Sequence, residues 1–373
     1  MSVDNLAHKF KQKQVKKAAS EAMETAADSL GITADELGDR IVPDFGFDEN
    51  MERIFNYGER KFKVCLSHSS ELEVYDDNGK KLKTMPAPAK KDDEVISKKS
   101  NSDFKALKKQ IKNVLSIQSS RLETALISGR KWNKTAWENL FVKNPVMHTF
   151  ATGLIWSAYH DDEVTTFRYM EDGTFNTVDE DEFELPENCH ISLVHPIELD
   201  KETLLAWKEQ LSDYEIIQPI KQLERPVYFI RDEEKGTFDL NRFNGQKINA
   251  LTLMGRAVKL GWNKGSAQDA GMFYVFYRED ITEKVKLDDG SYGLLGTAAE
   301  LHFSGCYIAV ENEEVTLENI RFYTPGTIKH GSYIYDEADN EKAIQLDKVS
   351  PRYFSEIILQ LEEIAKNTEN DRE

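Results

Sequence analysis

A chain of 373 residues with 40% hydrophobic residues, 19 Phe, 14 Tyr and 5 Trp has enough apolar material for two or three ordinary cores, which excludes wholesale disorder. A net charge of -18 disfavours duplex DNA as a partner, because nonspecific phosphate affinity depends on an excess of Lys and Arg. Cys65, Cys189 and Cys306 form no CxxC pair, Met1 to Ser20 has no apolar run to act as a signal-peptide core, and the longest apolar-rich stretch elsewhere, Phe150 to Tyr159, is too short for a bilayer span. A reducing, cytoplasmic setting without membrane insertion is the expectation.

Residues 5 to 30 read as a lone helix stopped by Gly31. Thr33-Ala34-Asp35-Glu36 has the form of a capping box and opens a short helix that Pro43 ends. From Arg53 to Pro88 apolar residues alternate as in strands (Ile54, Phe55 and Tyr57; Phe62, Val64 and Leu66; Leu72, Val74 and Tyr75), with Asp77-Asn78-Gly79 as a turn. Lys90 to Asn101 is polar and reads as a surface loop. Phe104, Leu107, Ile111, Leu115, Gln118 and Leu122 then make one helical stripe. Asn144-Pro145 is a cap followed by Pro at the first helical position, opening an apolar run to Tyr159 that predicts a buried helix.

Beyond it the pattern predicts a hairpin at Asp172-Gly173, a strand at Ile191 to Val194 and a helix at Asp200 to Leu211 presenting Leu204, Trp207 and Leu211. A strand at Val227 to Ile230 follows, then a helix at Ile248 to Leu260 stopped by Gly261. Strands are predicted at Phe273–Tyr277, Leu301–Val310 and Ile320–Tyr323. Ser350-Pro351 opens a last helix with Phe354, Ile357, Ile358, Leu361 and Ile364 on one face. Hairpin turns outnumber strand-helix-strand crossovers, so the expected fold class is α+β with mainly antiparallel strands.

Several separated segments carry a family resemblance: Arg40-Ile41-Val42-Pro43-Asp44-Phe45-Gly46; Asn78-Gly79-Lys80 with Pro86-Ala87-Pro88; Cys189-His190-Ile191-Ser192-Leu193-Val194-His195-Pro196, continuing through Trp207 to Arg225-Pro226; Gly261-Trp262; Asp269-Ala270-Gly271; and Ser350-Pro351 to Leu361. Together they resemble the domain-of-unknown-function family 4132, found in bacterial proteins related to the molybdate metabolism regulator. The resemblance implies a family domain over 29–366, divisible into sub-lobes 29–100 and 101–366. Residues 1–28 would then be the remnant of an upstream helical region, and 367–373 a disordered tail. Longer relatives carry helical repeats, and some a Trp-Gly-Arg domain. They tend to be encoded beside MoxR-type AAA+ ATPases and von Willebrand A-domain proteins, which implies protein partners of those kinds in a remodelling system.

Signatures of phosphate loops, zinc proteases, serine hydrolases and calcium loops are absent, and no cofactor is expected. Cys189, His190 and His195 are the densest group of metal-ligand types, yet adjacent strand residues point to opposite faces, so no metal site is expected. His195, Glu198, Gln218 and Arg225 form a candidate ligand pocket, since a carboxylate tunes His and Arg clamps anions. Polar residues at element ends also satisfy peptide groups, which is the structural alternative. Trp262, before Asn263-Lys264-Gly265, either stacks on a ligand or closes a core over a turn. Lys105, Lys108, Lys109 and Lys112 share one helical face, within residues 80 to 121 that hold 12 basic against 4 acidic residues. Residues 160 to 188 hold 11 acidic against one basic. Such runs are either solvated faces or patches that steer a partner.

The expected function is a non-enzymatic protein-interaction or regulatory module. The alternatives are a ligand-binding or enzymatic domain around His195 and Arg225, and nucleic-acid binding through residues 80–121.

Overall fold

The computed structural model describes residues 13–67, 71–267, 271–307, 313–327 and 342–366. Residues 5–12 of the expected first helix, Asp269-Ala270, the strand end at 308–310 and the tail 367–373 lie outside the described residues. Eight α-helices and three antiparallel sheets among the described residues make an α+β fold. The chain divides into two compact units, one of residues 1–126, 131–194 and 200–223, the other of 127–130, 195–199 and 224–373.

In the first unit, α1 (Lys13–Leu30) ends at Gly31, whose positive φ lets Ile32 N–H reach Ala27 O and Gly31 N–H reach Asp28 O. Thr33 and Glu36 close the predicted capping box on α2 (Ala34–Arg40). Strands β1 (Glu52–Asn56), β2 (Lys61–Leu66), β3 (Leu72–Tyr75) and β4 (Lys81–Leu82) follow as a meander in sheet order β1-β2-β3-β4. Their buried Phe55, Phe62, Val64 and Val74 pack with Phe104, Leu107 and Ile111 of α3 (Glu94–Ser128).

Helix α3 begins ten residues earlier than its apolar stripe, inside the segment read as a loop. Asp93 Oδ1 accepts from Val95 N–H and Ile96 N–H at 3.0 and 2.8 Å, so a side-chain cap rather than burial starts this helix.

A second sheet, in order β5-β9-β6-β7-β8, holds β5 (Trp132–Asn133), β6 (Ile155–His160), β7 (Glu163–Tyr169), β8 (Phe175–Asn176) and β9 (His190–Leu193). It is packed by α4 (Lys134–Trp137), which runs into a π-turn at Glu138–Val142, and by α5 (Pro145–Ala151). Asn144 caps α5 as expected, but the helix stops at Ala151 and the rest of the apolar run is the central strand β6. A strand buried on both faces is as apolar all round as a buried helix, and Gly153 marks the change. Helix α6 (Lys201–Asp213) is capped by Asp200 and buries Trp207, whose Nε1–H donates to Thr166 Oγ1 at 3.0 Å. Beyond α6, Gln222 acts as a substitute peptide group: Nε2 donates to Ile155 O and Val194 O at 2.7 and 2.9 Å, and Oε1 accepts from Ile155 N–H at 3.0 Å.

The second unit is built on a sheet in order β10-β14-β13-β12-β11. Its strands are β10 (Lys247–Asn249), β11 (Asn263–Lys264), β12 (Met272–Lys286), β13 (Tyr292–Tyr307) and β14 (Glu314–Tyr323). All three long strands exceed the predicted spans. No ladder forms at Val227 to Ile230: Pro226 has no donor, and Tyr228 N–H bonds to Ser355 Oγ at 2.9 Å instead of to a strand. The unit's core also takes α7 (Ala250–Lys259), which Gly261 follows with positive φ, and α8 (Pro351–Ala365). Helix α8 is buried on nearly every side, including Arg352, Glu356 and Gln360.

Candidate functional site

Two constellations contain the residues singled out in the sequence. The first surrounds α8. His195 caps the short 3-10 turn Pro196–Glu198, its Nδ1 accepting from Ile197 N–H at 3.2 Å. That leaves the proton on Nε2, which lies 2.9 Å from Glu356 Oε1 and donates to it. Glu356 Oε2 accepts from Arg225 at 2.9 Å. One turn earlier, Arg352 grips Glu198 through two bonds, Nε to Oε1 at 2.8 Å and a second nitrogen to Oε2 at 2.5 Å. The structure therefore joins His195 and Arg225 through a carboxylate from α8 and pairs Glu198 with an arginine from the same helix. His195 and Glu356 are fully buried.

Gln218 takes no part in these bonds. It lies in the first unit, donating to Gln222 Oε1 at 2.8 Å and accepting from Leu223 N–H at 3.0 Å. Trp262 is buried and donates to Gln360 Oε1 at 2.8 Å, an acceptor it shares with Arg278. Arg278 also binds Asp280 with both Nε and a terminal nitrogen, and Tyr353 Oη donates to Asp280 at 2.8 Å. Burial, and then the Asp280 charge, push the Tyr353 phenol well above its ordinary pKa, so it stays a donor. Burial alone would lower the Arg278 pKa, but Asp280 raises it above its usual value.

The second constellation is a groove in the first unit enclosing about 420 Å³, lined by Thr84, Met85, Asn101, Phe104, Lys105, Lys108, Lys109 and Lys112. One wall is a face of α3, repeating every three or four residues from Asn101 to Lys112. The other is the segment that continues from the edge strand β4. Asn101 Nδ2 fixes it there by donating to Pro86 O at 3.2 Å, and Tyr57 Oη donates to the same oxygen at 2.8 Å. Phe104 and Met85 form a largely buried floor. The four lysines are exposed and pair with no carboxylate among the described residues, whereas Lys98, nearer the start of α3, pairs with Glu94. Phe104 reads in the sequence as core alone. Thr84 and Met85 carry no sequence signal, because only the β4-to-α3 connection brings them beside the lysines, and Asn101 lies on the lysine face one turn before Lys105.

Elsewhere reactive groups are suppressed. Burial first of all raises the pKa of Cys65, Cys189 and Cys306, disfavouring the nucleophilic thiolate. Among the described residues no three His, Cys, Asp or Glu side chains gather as metal ligands would, and no helix is long and apolar enough to cross a membrane.

Fold and site thus describe an antiparallel α+β chain with an internally bonded polar cluster around α8 and an open basic groove. Residues 79–262 match a domain of unknown function, DUF4132. Over 325 residues the chain is 28% identical to the uncharacterized protein YehI of Escherichia coli strain K12, an alignment covering 86% of this chain and 26% of that protein. The chain thus spans about a quarter of that relative's length. No solved structure matches. The domain match includes the groove and His195, Glu198, Gln218 and Arg225, and ends at Trp262. Helix α8 lies beyond it.

Proposed function

We propose that this chain is a non-enzymatic protein-interaction or regulatory module of a larger cytoplasmic system, and that the α3 groove is its contact face. The observation that carries the reading is the set of four lysines lining a groove without a carboxylate partner among the described residues, in a chain of net charge -18. Support also comes from the commitment of His195, Glu198, Arg225 and Trp262 to internal bonds. The partners proposed, on family resemblance, are MoxR-type AAA+ ATPases and von Willebrand A-domain proteins; kinship with the molybdate metabolism regulator is proposed on the same ground.

The test compares the wild type with a Lys105→Glu/Lys109→Glu chain as baits in native lysate, with retained proteins identified by mass spectrometry. An ATPase or A-domain protein held by the wild type and lost by the doubly substituted chain is the expected result. Equal retention by both baits, or none by either, rejects the reading.

A further inference from the structure

Resting on that interaction reading, we infer that the α3 groove binds an extended acidic segment of a partner protein, with carboxylates at alternate positions and one bulky apolar side chain beside them. Lys105, Lys108, Lys109 and Lys112 climb roughly 10 Å along the axis of α3. In an extended chain, residues two apart lie on one face about 7 Å from each other. Two or three alternate carboxylates therefore match the span of the lysines within the reach of their flexible stems.

The apolar side chain has its own place, since Phe104 and Met85 floor the groove at its Asn101 end and the lysine stems add methylene surface. A volume of about 420 Å³ admits a side chain and its backbone.

The choice of carboxylate over phosphate follows from the lining. It holds lysines and no arginine, so it lacks the planar fork that clamps phosphate bidentately. A long polyanion would also lie under the field of a chain of net charge -18, which a short peptide with a few carboxylates largely escapes through screening.

The experiment is fluorescence anisotropy with the full chain and a short labelled peptide carrying one Phe beside three Glu at alternate positions. Micromolar binding is expected, weakening about tenfold as NaCl rises from about 0.05 to 0.3 M. Lys105→Glu/Lys109→Glu, which changes only exposed side chains and should keep the wild-type melting temperature, is expected to lose at least about tenfold in affinity. Ala in place of the peptide Phe should cost about tenfold.

Equal affinity in the doubly substituted chain, or indifference to the Phe, overturns the inference. So does displacement of the peptide by a single-stranded oligonucleotide or inorganic polyphosphate at lower concentration. Sedimentation that shows self-association abolished by the same substitutions assigns the groove to a second copy and also overturns it. No peptide binding, with a groove-dependent partner still retained from lysate, sinks this inference and leaves the interaction reading standing. Peptide binding with no retained partner does the reverse.

Discussion

Glu356 accepts from His195 and Arg225 at once, and both it and His195 are buried. Removing a shared buried acceptor costs far more than the pair contributes over an apolar replacement, because the remaining donors stay desolvated. Glu356→Ala is therefore expected to destabilise by about 3–5 kcal/mol, read from the denaturant midpoint; an unchanged midpoint would mean that the cluster is not formed. Asp92 gives a pH signature. The Arg60 hydrogen bond holds its carboxyl down to about 2, with Ala89 N–H also donating. Because the folded value lies below the unfolded one of about 3.9, the stabilisation is complete above that pH and is lost as pH falls from about 4 through 2. Asp92→Asn should be less stable at pH 7 and should lose less stability over that acid window. Parallel acid titrations of the two chains would contradict the pairing.

At the scale of elements, the hairpin of β12 and β13 depends on Gly296, at φ +138°, where a Cβ would stand 2.0 Å from the Asp280 carbonyl oxygen. The register shifts beside it, between Ile281 and Glu283, so the backbone is already bent to fit. Since the obstacle is main chain, Gly296→Ala is expected to cost about 3 kcal/mol or more. A thermal midpoint within a degree of wild type would show that the hairpin can shift. The outer half of this hairpin was not legible in the sequence: Thr282 to Ser291 is polar or exposed on both faces, so no single face marks the period. Helix α2 was legible from a capping box held in four adjacent residues, and α6 from Leu204, Trp207 and Leu211 along one face, whereas α7 was read from Ile248, which belongs to β10. The groove was half legible, as the lysine row repeats along one helix while Thr84 and Met85 join it only by tertiary contact. The partners of His195 and Glu198 were unreadable by spacing, lying 161 and 154 residues away. A signal did exist in α8, where Arg352, Glu356 and Gln360 recur every four residues within an otherwise apolar helix.

Over the whole molecule, the second unit is assembled from three stretches of chain, and the five residues 195–199 bring it both His195 and Glu198. A fragment of residues 224–366 would contain all three long strands and α8 yet deprive Glu356 and Arg352 of those partners. Such a fragment is expected to lack a cooperative thermal transition, or to melt well below the second unit in the full chain, by calorimetry. A transition at the full-chain temperature would show that the short segment is dispensable. Translation turns the same arrangement into a delay. Every residue of the first unit has been synthesised by Leu223, but Arg225 precedes Glu356 by 131 residues. At roughly 5–20 residues per second the arginine is made on the order of ten seconds before its acceptor. Throughout that interval the growing polypeptide carries unmet polar groups from the second unit between and beyond the segments of a first unit free to fold. Newly made chains are thus open to chaperones and proteases for a period set by ribosome speed, and closed to them once α8 docks.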